Sequence, residues 1–344
     1  MDAVRYSAFQ QTPELVSVDD PECPEAGVVI RVAATGLCRS DWHAWMGHDR
    51  DVALPHVPGH EFAGVVVEAG SRVEHWRAGE RVTVPFVCAC GQCASCRRGE
   101  QQVCGHQFQP GFTHWGSFAE LVAIDRADVN LVRVPDGMDL ETAASLGCRF
   151  STAYRAVTHH GRVRSGDWVA VHGCGGVGLS AVMIAAARGA RVVAVDVSAA
   201  ALELALAFGA EAVLDARAVD VVAAVRESTG GGAEVSIDAL GSVATCQSSI
   251  RSLRPRGRHI QVGLMLADDD LPPVPMDLVI AGELELIGSH GMPAHGFPAM
   301  LAEILDGTLQ PQRLVTRRIG LREAPAALAE AGAHPSAGVT LVLP

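Results

Sequence analysis

Four cysteines within one short stretch of the chain have the spacing of a metal site. The stretch reads C-x2-C-x2-C-x7-C and contains Cys90, Cys93, Cys96 and Cys104. Thiolates at this spacing can converge into the tetrahedral shell that Zn²⁺ prefers in structural sites. The alternatives are two disulfides or four idle thiols, but the chain has 344 residues and begins MDAVRYSAFQ, unlike a small secreted domain with an export signal. We therefore predict a structural zinc site, which supports a fold and performs no chemistry.

A glycine-rich stretch predicts a second kind of site. The motif G-x-G-x-x-G is made by Gly173, Cys174, Gly175, Gly176, Val177 and Gly178. It stands between a strand pattern and a helix pattern, and Asp196 ends the next strand pattern. Backbone N–H groups of such a turn can reach a pyrophosphate, while Asp196 can accept hydrogen bonds from a ribose diol and repel a 2′-phosphate. The alternative is a structural turn with a solvated carboxylate; we predict an NAD site.

Three further soft ligands lie far apart in the chain. Cys38 is in GLCRSDWH, His60 in GHEFAG and Cys148 in LGCRFST. Two thiolates, one imidazole and an open fourth position form a known catalytic zinc shell. Spacing alone does not assemble them, and each taken singly reads as a buried thiol or a core histidine.

Composition and patterning describe what must position these residues. The chain is 49% hydrophobic and 19% charged, its net charge is −12, and no apolar run reaches the length of a membrane span. We expect about two domains and neither a nucleic-acid nor a membrane partner, since a phosphate backbone needs a basic surface. Ten cysteines without an export signal indicate a reducing cytoplasm.

The pattern of elements changes near residue 148. Before it, β-like runs alternate with turns at Gly27–Val32, Glu61–Glu68, Glu80–Pro85, Ser117–Ile124 and Asn130–Val134. After it, strands are predicted at Asp167–His172, Arg191–Asp196, Glu211–Leu214, Glu234–Ala239 and His259–Val262, and helices at Val177–Arg188, Ala199–Phe208, Val219–Ser228 and Val243–Leu253. This alternation predicts parallel βαβ units in a doubly wound α/β sheet, with a loop at Ala267–Pro275.

Taken together, these segments resemble the zinc-dependent medium-chain alcohol dehydrogenase family over nearly the whole chain. The resemblance implies a GroES-like β-rich catalytic domain at residues 1–150, completed by 290–344, and an NAD-binding Rossmann domain at 151–289. It implies that Cys38, His60 and Cys148 bind catalytic zinc and that the CGxCxxCxxGxxxxC loop binds structural zinc, giving two zinc ions per chain.

The resemblance also assigns roles around the catalytic zinc. Zinc acts as a Lewis acid on the alcohol oxygen, and NAD accepts the hydride. Ser40 matches the hydroxyl that takes the alcohol proton, and His43 matches the base that passes it to solvent. Asp41 matches the carboxylate that orients the ligand histidine, and Glu61 the acid behind the metal, which we count with its ligands. The alternative interpretations are that Ser40 caps a turn and that His43 is a surface histidine. Asp41 and Glu61 would then be ordinary solvated acids.

Cofactor and substrate contacts follow with less support. Arg39 resembles the cation that faces the pyrophosphate, and Thr152 the residue behind the nicotinamide, whose pocket Val177, Val262 and Leu264 would line. The family's basic residue five positions after the ribose-binding acid is replaced by Ala201, and a basic residue near the C-terminus is replaced within Ala337–Val339. The predicted substrate-pocket residues are Trp42, Phe86 and Trp115, with core packing as the alternative reading of the two tryptophans.

These observations favour a zinc- and NAD-dependent alcohol dehydrogenase that interconverts primary or secondary alcohols with aldehydes or ketones. The alternatives are a polyol or amino-alcohol dehydrogenase on the same scaffold and, in another class, a non-catalytic zinc-stabilised nucleotide-binding module. Cys148 favours simple alcohols, since a polyol-type relative more often offers a carboxylate as third ligand. An apolar edge strand near Glu283–Gly288 predicts pairing of subunits. The resemblance implies a homotetramer, or a homodimer, because family members near this length commonly lack the insertion of the longer, dimeric members.

Overall fold

A computed structural model describes residues 1–265, 273–332 and 337–344. The described residues form two compact units. The first comprises Met1–Ser151, Gly291–Gly307 and the described part of Pro311–Pro344, and the second comprises the described part of Thr152–His290 with Thr308–Gln310. Most of the loop predicted at Ala267–Pro275 lies outside the described residues.

The first unit is built on a seven-stranded sheet with a separate two-stranded pair. Numbered in chain order, its strands are β1 (Asp2–Arg5), β2 (Glu14–Ser17), β3 (Val28–Leu37), β4 (Phe62–Ala69), β5 (Arg81–Thr83), β6 (Leu121–Ile124), β7 (Val132–Arg133), β14 (Val315–Gly320) and β15 (Val339–Leu343). The large sheet has the order β14-β15-β3-β4-β5-β7, and β6 also pairs with β3. Its neighbours are antiparallel except β14 and β15, which are parallel.

The core of this sheet explains why β3 and β4 pair so extensively. Val28, Ile30 and Val32 of β3 pack with Phe62 and Val66 of β4 in one buried cluster. These β-branched and aromatic side chains suit a half-buried pleated surface. The pairing fixes where β3 ends and β4 begins, and both ends lead directly into predicted site residues.

Short helices complete the first unit. The α-helices are α1 (Arg39–Met46), α2 (Ala94–Arg97), α3 (Ala127–Asn130), α4 (Leu140–Ala144), α11 (Phe297–Leu305) and α12 (Ala324–Glu330). A π-helical turn spans Leu146–Phe150, and 3₁₀ turns lie at Gln101–Val103, Ala294–Gly296, Pro311–Leu314 and Leu321–Glu323. Helix α1 begins one residue after β3 ends, so it carries the residues after Cys38 away from the end of β3.

The second unit contains a six-stranded parallel sheet. Its strands are β8 (Trp168–His172), β9 (Arg191–Asp196), β10 (Ala212–Asp215), β11 (Ala233–Asp238), β12 (Leu253–Gln261) and β13 (Glu285–Gly288). They lie in the order β10-β9-β8-β11-β12-β13, which is 3-2-1-4-5-6 in chain order. This is the order of a doubly wound dinucleotide-binding sheet, so the predicted fold is confirmed. The order reverses next to β8, where ligands bind such sheets.

Helices connect these strands as the sequence predicts. They are α5 (Ser151–Arg155, whose first residue belongs to the first unit), α6 (Gly176–Ala187), α7 (Ala199–Ala207), α8 (Val221–Ser228), α9 (Val243–Arg251) and α10 (Met276–Gly282), with a π-helical turn at Ala156–His160. Side chains of Ser198, Asp220 and Ser242 cap the N-termini of α7, α8 and α9. Within the described ranges, no helix is long and apolar enough to cross a bilayer.

Candidate metal centres and nucleotide site

The four cysteines predicted to bind zinc converge on one point. Their ligand atoms all lie within 4.8 Å of one another. Cys93 Sγ is 3.5 Å from Cys96 Sγ and 3.7 Å from Cys104 Sγ, and Cys90 Sγ is 3.8 Å from Cys96 Sγ. A tetrahedron with Zn–S bonds of about 2.3 Å has edges of about 3.8 Å, so the thiols fit a zinc ion. All ten cysteines are free, which argues against the disulfide alternative.

Backbone hydrogen bonds around this loop favour the thiolate form at two of its four cysteines, Cys90 and Cys93. The amides of Cys90 and His106 donate to Cys104 Sγ, and the amide of Cys93 donates to Cys90 Sγ. A backbone hydrogen bond from Cys96 lowers the pKa of Cys93 to about 6, and one from Gln92 lowers that of Cys90, whereas burial raises the pKa of Cys96 to about 12. Cys88 takes no part, because it is buried and its thiol donates to the carbonyl of Pro85. Among the described residues, the loop thus presents a closed group of four sulfur donors.

Sheet register brings together two of the three dispersed soft ligands. Thr35 of β3 pairs with Phe62 of β4, and the amide of Gly36 donates to the carbonyl of Glu61. The antiparallel register therefore places Cys38, just after β3, beside His60, just before β4. Cys148 joins them from the π-helical turn, and the three ligand atoms lie within 4.8 Å of one another. The fold performs the assembly that spacing alone could not.

The orientation of the His60 ring shows which of its two nitrogens faces the thiols of Cys38 and Cys148. Its Nδ1 lies 2.9 Å from Oδ1 of Asp41, which also accepts from the amide of Gly59. The second oxygen of Asp41 accepts from the amide of Cys38 at 2.8 Å, and the carboxylate is fully buried. His60 Nε2 is buried with no hydrogen-bond partner among the described residues. A buried nitrogen of this kind next to two thiols fits a metal ion, and Asp41 is placed as predicted to orient the ligand.

Hydrogen bonding between the two thiols of the group shifts their pKa values in opposite directions. The thiol of Cys148 donates to Cys38, which holds the pKa of Cys38 well below its usual value against the effect of burial. The same hydrogen bond, together with burial, raises the pKa of Cys148 well above its usual value. A divalent cation would displace that proton, because metal ligation needs thiolates.

Glu61 requires a correction, since it was predicted to belong to the metal shell. Its Oε1 accepts from the amide of Arg149 at 2.7 Å, and its Oε2 accepts from Nε of Arg149 at 2.7 Å and also from Nη2. Both side chains are buried, and Arg149 also donates to the carbonyl of Leu37. The carboxylate is thus committed to an ion pair behind the ligands, and it is not among the donors that converge. Breaking such a buried pair costs about 3–5 kcal/mol.

The predicted proton-transfer residues lie on α1, beside the dispersed group. Ser40 is half-buried, and its Oγ lies 3.7 Å from Cys38 Sγ. His43 is one turn further along, half-buried, and its Nδ1 lies 3.0 Å from Nδ1 of His48. Burial, with the charge of Arg39 and the neighbouring His48, lowers the pKa of His43 to about 4. His43 is therefore a neutral base at physiological pH.

Aromatic rings surround the ligand histidine. Phe86 and Phe112 are buried, with ring centroids 6.2 Å and 4.9 Å from that of His60. Phe86 was predicted as a pocket wall, whereas Phe112 was not predicted at all. Trp42 packs against His43 and against the buried cluster that contains Trp45 and Leu328. Trp115 is exposed and donates to the carbonyl of Pro55, so its place in a substrate pocket stays a prediction.

In the second unit, the glycine-rich turn follows β8 and opens α6. Gly173 has φ of +91°, and its amide donates to the carbonyl of Val195. A Cβ on Gly178 would lie 1.8 Å from the carbonyl oxygen of Gly173, so only glycine fits this crossing of turn and helix. A Cβ on Gly175 would meet open space, and Gly176 with Val177 forms the first turn of α6. The turn can accept a pyrophosphate at a free helix N-terminus.

Asp196 ends β9 directly beside this turn. Its Oδ2 accepts from the amide of Cys174 at 2.6 Å, and its Oδ1 accepts from the amide of Ser198 at 2.8 Å. These two bonds fix the carboxylate and leave lone pairs on both oxygens. This arrangement suits a ribose diol and opposes a phosphate at the same place.

The other predicted cofactor residues are divided between the two units. Val262 and Leu264 follow β12, where Val262 donates from its amide to the carbonyl of Asp238 and the Leu264 side chain is 51% exposed. Thr152 is buried in α5, and its hydroxyl has no hydrogen-bond partner within the described part of the chain. Arg39 is exposed at the start of α1 in the first unit, with its guanidinium 5.9 Å from the Trp42 ring. Their cofactor contacts stay predictions.

A nucleotide-binding sheet accompanied by a closed and an open thiol-rich metal group defines a zinc-binding dehydrogenase. Residues 24–136 match the model of the alcohol dehydrogenase GroES-like domain, and residues 176–306 match that of the zinc-binding dehydrogenase domain. The chain belongs to the zinc-dependent medium-chain alcohol dehydrogenase family, as its motifs indicated.

Individual relatives agree with this assignment. An alcohol dehydrogenase from Geobacillus stearothermophilus is 35% identical over 292 residues, which are 84% of each chain. A D-arabitol-phosphate dehydrogenase from Enterococcus avium is 30% identical over 312 residues, 90% of this chain and 87% of the relative. The solved alcohol dehydrogenase TADH from Thermus sp. ATN1 superposes with a TM-score of 0.91 and 32% identity, covering 100% of this chain and 99% of its own.

Proposed function

We propose that this protein is a zinc- and NAD-dependent alcohol dehydrogenase, which interconverts a primary or secondary alcohol and an aldehyde or ketone by reversible hydride transfer. The observation that carries the proposal is the buried, unpartnered Nε2 of His60, which converges with the thiols of Cys38 and Cys148. Three donors with an open fourth position are typical of catalytic zinc and not of structural zinc. The four-thiolate loop is proposed to hold the second zinc ion of the chain.

When bound, zinc would supply Lewis acidity toward the substrate oxygen, and NAD would accept the hydride. The chain's own residues prepare the site for both. Asp41 fixes the tautomer of His60, so that Nε2 stays available as a ligand. The Glu61–Arg149 pair keeps a second carboxylate away from the ligands, and the rings of Phe86 and Phe112 shield the histidine from water. Ser40, whose hydroxyl lies beside Cys38, is proposed to take the alcohol proton, and His43 is proposed to receive it as a neutral base.

The proposed preference for NAD rests on Asp196. We expect Asp196→Ser to narrow the ratio of kcat/KM for NAD to that for NADP by about ten- to a hundredfold, because a charged hydrogen bond is worth about 1.5–3 kcal/mol. NADH and NADPH absorbance during oxidation of a panel of alcohols measures the ratio. Asp220→Ser, which alters a carboxylate that caps α8, is the matched control. Equal kcat/KM for both cofactors in the wild type would refute the NAD preference.

The substrate class has one specific competitor. Because a relative is a D-arabitol-phosphate dehydrogenase, a polyol or amino-alcohol substrate is the second candidate. Cys148 as third ligand supports simple alcohols instead. The same panel decides between them when it includes polyols, their phosphates and amino alcohols. A protein that turns over no alcohol with either cofactor would be the non-catalytic nucleotide-binding module.

Assembly and location complete the proposal. Among the described residues, β13 has a strand partner on one side only, and Leu286 is 37% and Ile280 of α10 is 74% exposed. An apolar edge of this kind favours pairing with a second copy, so we propose a homotetramer built on such dimers, or the dimer itself. Light scattering that gives the 36.0 kDa monomer would refute both. Ten free cysteines support a cytoplasmic location, and the net charge of −12 argues against a nucleic-acid partner.

A further inference from the structure

A second histidine lies against the proposed base of the proton path. Helix α1 ends at Met46, and the next residue, Gly47, has a φ of +82° that turns the chain back on itself. The amide of His48 then donates to the carbonyl of His43 at 3.0 Å. This turn brings the two rings together, with Nδ1 of His48 3.0 Å from Nδ1 of His43. No family motif in the sequence includes His48.

A hydrogen bond between two Nδ1 atoms constrains the protons on both rings. One ring must carry its proton on Nδ1 and donate it, while the other must present a bare Nδ1. Each ring then keeps its second nitrogen for another partner. Two imidazoles joined in this way can pass a proton through both rings, entering at one outer nitrogen and leaving at the other.

The surroundings of the pair give the path a direction. His43 is half-buried and His48 is exposed, so the second ring lies on the solvent side. Trp42 packs edge-on against both rings, with centroids 4.9 Å and 5.7 Å away, and holds them side by side. The groups whose charges act on His43 are Arg39, His48 and Cys38. With its pKa lowered to about 4, His43 does not retain a proton at neutral pH and must hand it on.

We propose that His48 is the second member of a proton relay, which carries the proton of the oxidised alcohol from His43 to water. The proposal rests on the proposed function. Alcohol oxidation by NAD removes a hydride from carbon and one proton from oxygen, and the relay moves only that proton. When His43 receives a proton at its outer nitrogen, it releases the one on Nδ1 to Nδ1 of His48. His48 then releases a proton from its own outer nitrogen to water.

One transfer reverses the hydrogen bond between the rings. Both rings end neutral, with His48 now donating from Nδ1 to His43. In this state the pair can carry a proton inward, as reduction of an aldehyde or ketone requires. The first state returns when both rings exchange protons with water: His43 loses the proton on its outer nitrogen and gains one on Nδ1, and His48 loses the proton on Nδ1 and gains one on its outer nitrogen. The two tautomeric states of the pair thus match the two directions of a reversible reaction.

The test compares two variants of His48 with a matched control. His48→Gln keeps an acceptor for the His43 N–H but cannot pass a proton, and His48→Ala removes both properties. His75→Ala alters an exposed histidine away from the path. Stopped-flow single turnovers of the zinc-loaded enzyme with NAD and an alcohol, in weak buffer with a pH indicator, measure NADH formation and proton release separately.

We expect proton release to slow about tenfold in both His48 variants, which is less than the ~100-fold of direct general-base catalysis because water can partly replace the ring. Added imidazole should restore the rate in His48→Ala, and the solvent isotope effect should rise. His75→Ala should behave as the wild type. An independent readout without turnover is a nitrogen–nitrogen coupling across the hydrogen bond between the two Nδ1 atoms, seen by NMR in the wild type.

Three results would overturn the relay. Proton release at the wild-type rate in His48→Ala would show that His48 carries no proton, and recovery in His48→Gln would show a purely structural role. Absence of the NMR coupling would remove the hydrogen bond itself. A wild type that oxidises no alcohol would overturn the proposed function and the relay together, whereas an active wild type with unaffected variants overturns the relay alone.

Discussion

The two metal-ligand groups of the first unit are built in opposite ways. The four cysteines of the closed group lie between Cys90 and Cys104, and backbone amides donate to their sulfur atoms. The three donors of the open group come from the end of β3, the start of β4 and a π-helical turn. Around them lie buried charges, Asp41 on one side and the Glu61–Arg149 pair on the other. A local loop therefore suffices for a structural ion, while an open site needs the whole fold to hold it.

The two groups also differ in how many positions of a tetrahedral metal shell their side chains fill. In the closed group all four positions of a tetrahedron are filled, so no substrate atom can reach the ion. In the open group the carboxylate that could fill the fourth position is held by Arg149 instead. On the proposed function, this ion pair would keep the fourth position open for substrate.

Removing one ligand from the open group should have the largest effect on activity. We expect Cys148→Ala to lose one of two zinc ions and to lower kcat by roughly a thousandfold or more, because several kcal/mol of charge stabilisation disappear. Its thermal midpoint should stay near that of the wild type. Elemental analysis, steady-state kinetics and circular dichroism measure the three quantities. Cys88→Ala, a buried thiol outside both groups, should keep both ions and full activity.

Removing one ligand from the closed group should do the reverse. We expect Cys96→Ala also to lose one zinc ion, but to lower the free energy of unfolding by several kcal/mol, since structural zinc contributes directly to folding. The molecules that stay folded should keep most of their activity. Denaturant unfolding measures the change against the same Cys88→Ala control. If Cys96→Ala were as stable as the wild type but inactive, the closed group would not have the purely structural role that distinguishes it from the open group.

A smaller effect should follow from changing the support of the open group. In Asp41→Asn the amide nitrogen cannot accept from the Cys38 amide, and the charge opposite His60 is lost. We expect zinc affinity at this group to fall about 10- to 100-fold. Competition with a chelator measures it, and Asp49→Asn, on the segment after α1, is the control. Unchanged affinity would mean that the ligand histidine holds its orientation without Asp41.

The sequence was enough to predict features that depend on residues close together in the chain. The four-cysteine spacing and the glycine-rich turn define their geometry within a few residues, and the predicted strands and helices around Asp196 end within one or two residues of the observed ones. Strand β12 is the exception, because it starts at Leu253 and only its end matches the predicted His259–Val262. Its first residues carry the charges of Arg254 and Arg256, which hide a strand pattern.

The parts that sequence reasoning missed depend on contacts between distant segments. Glu61 precedes a strand and follows a ligand, and nothing in its neighbourhood indicates that Arg149 will occupy both of its oxygens. Phe112 reaches His60 from a loop without any motif. His48 could have been noticed, because a glycine one residue earlier allows the chain to reverse onto His43.

Stepwise removal of zinc from the wild type tests the central claim most directly. The purified protein should hold two zinc ions per chain. A chelator should extract the ion of the open group first, because three ligands with an open position exchange more readily than four thiolates. Activity should fall in proportion to that first ion, while the thermal midpoint stays constant until the second ion leaves. One zinc ion per chain in fully active protein, or activity that is lost only together with the fold, would contradict the division into an open and a closed site.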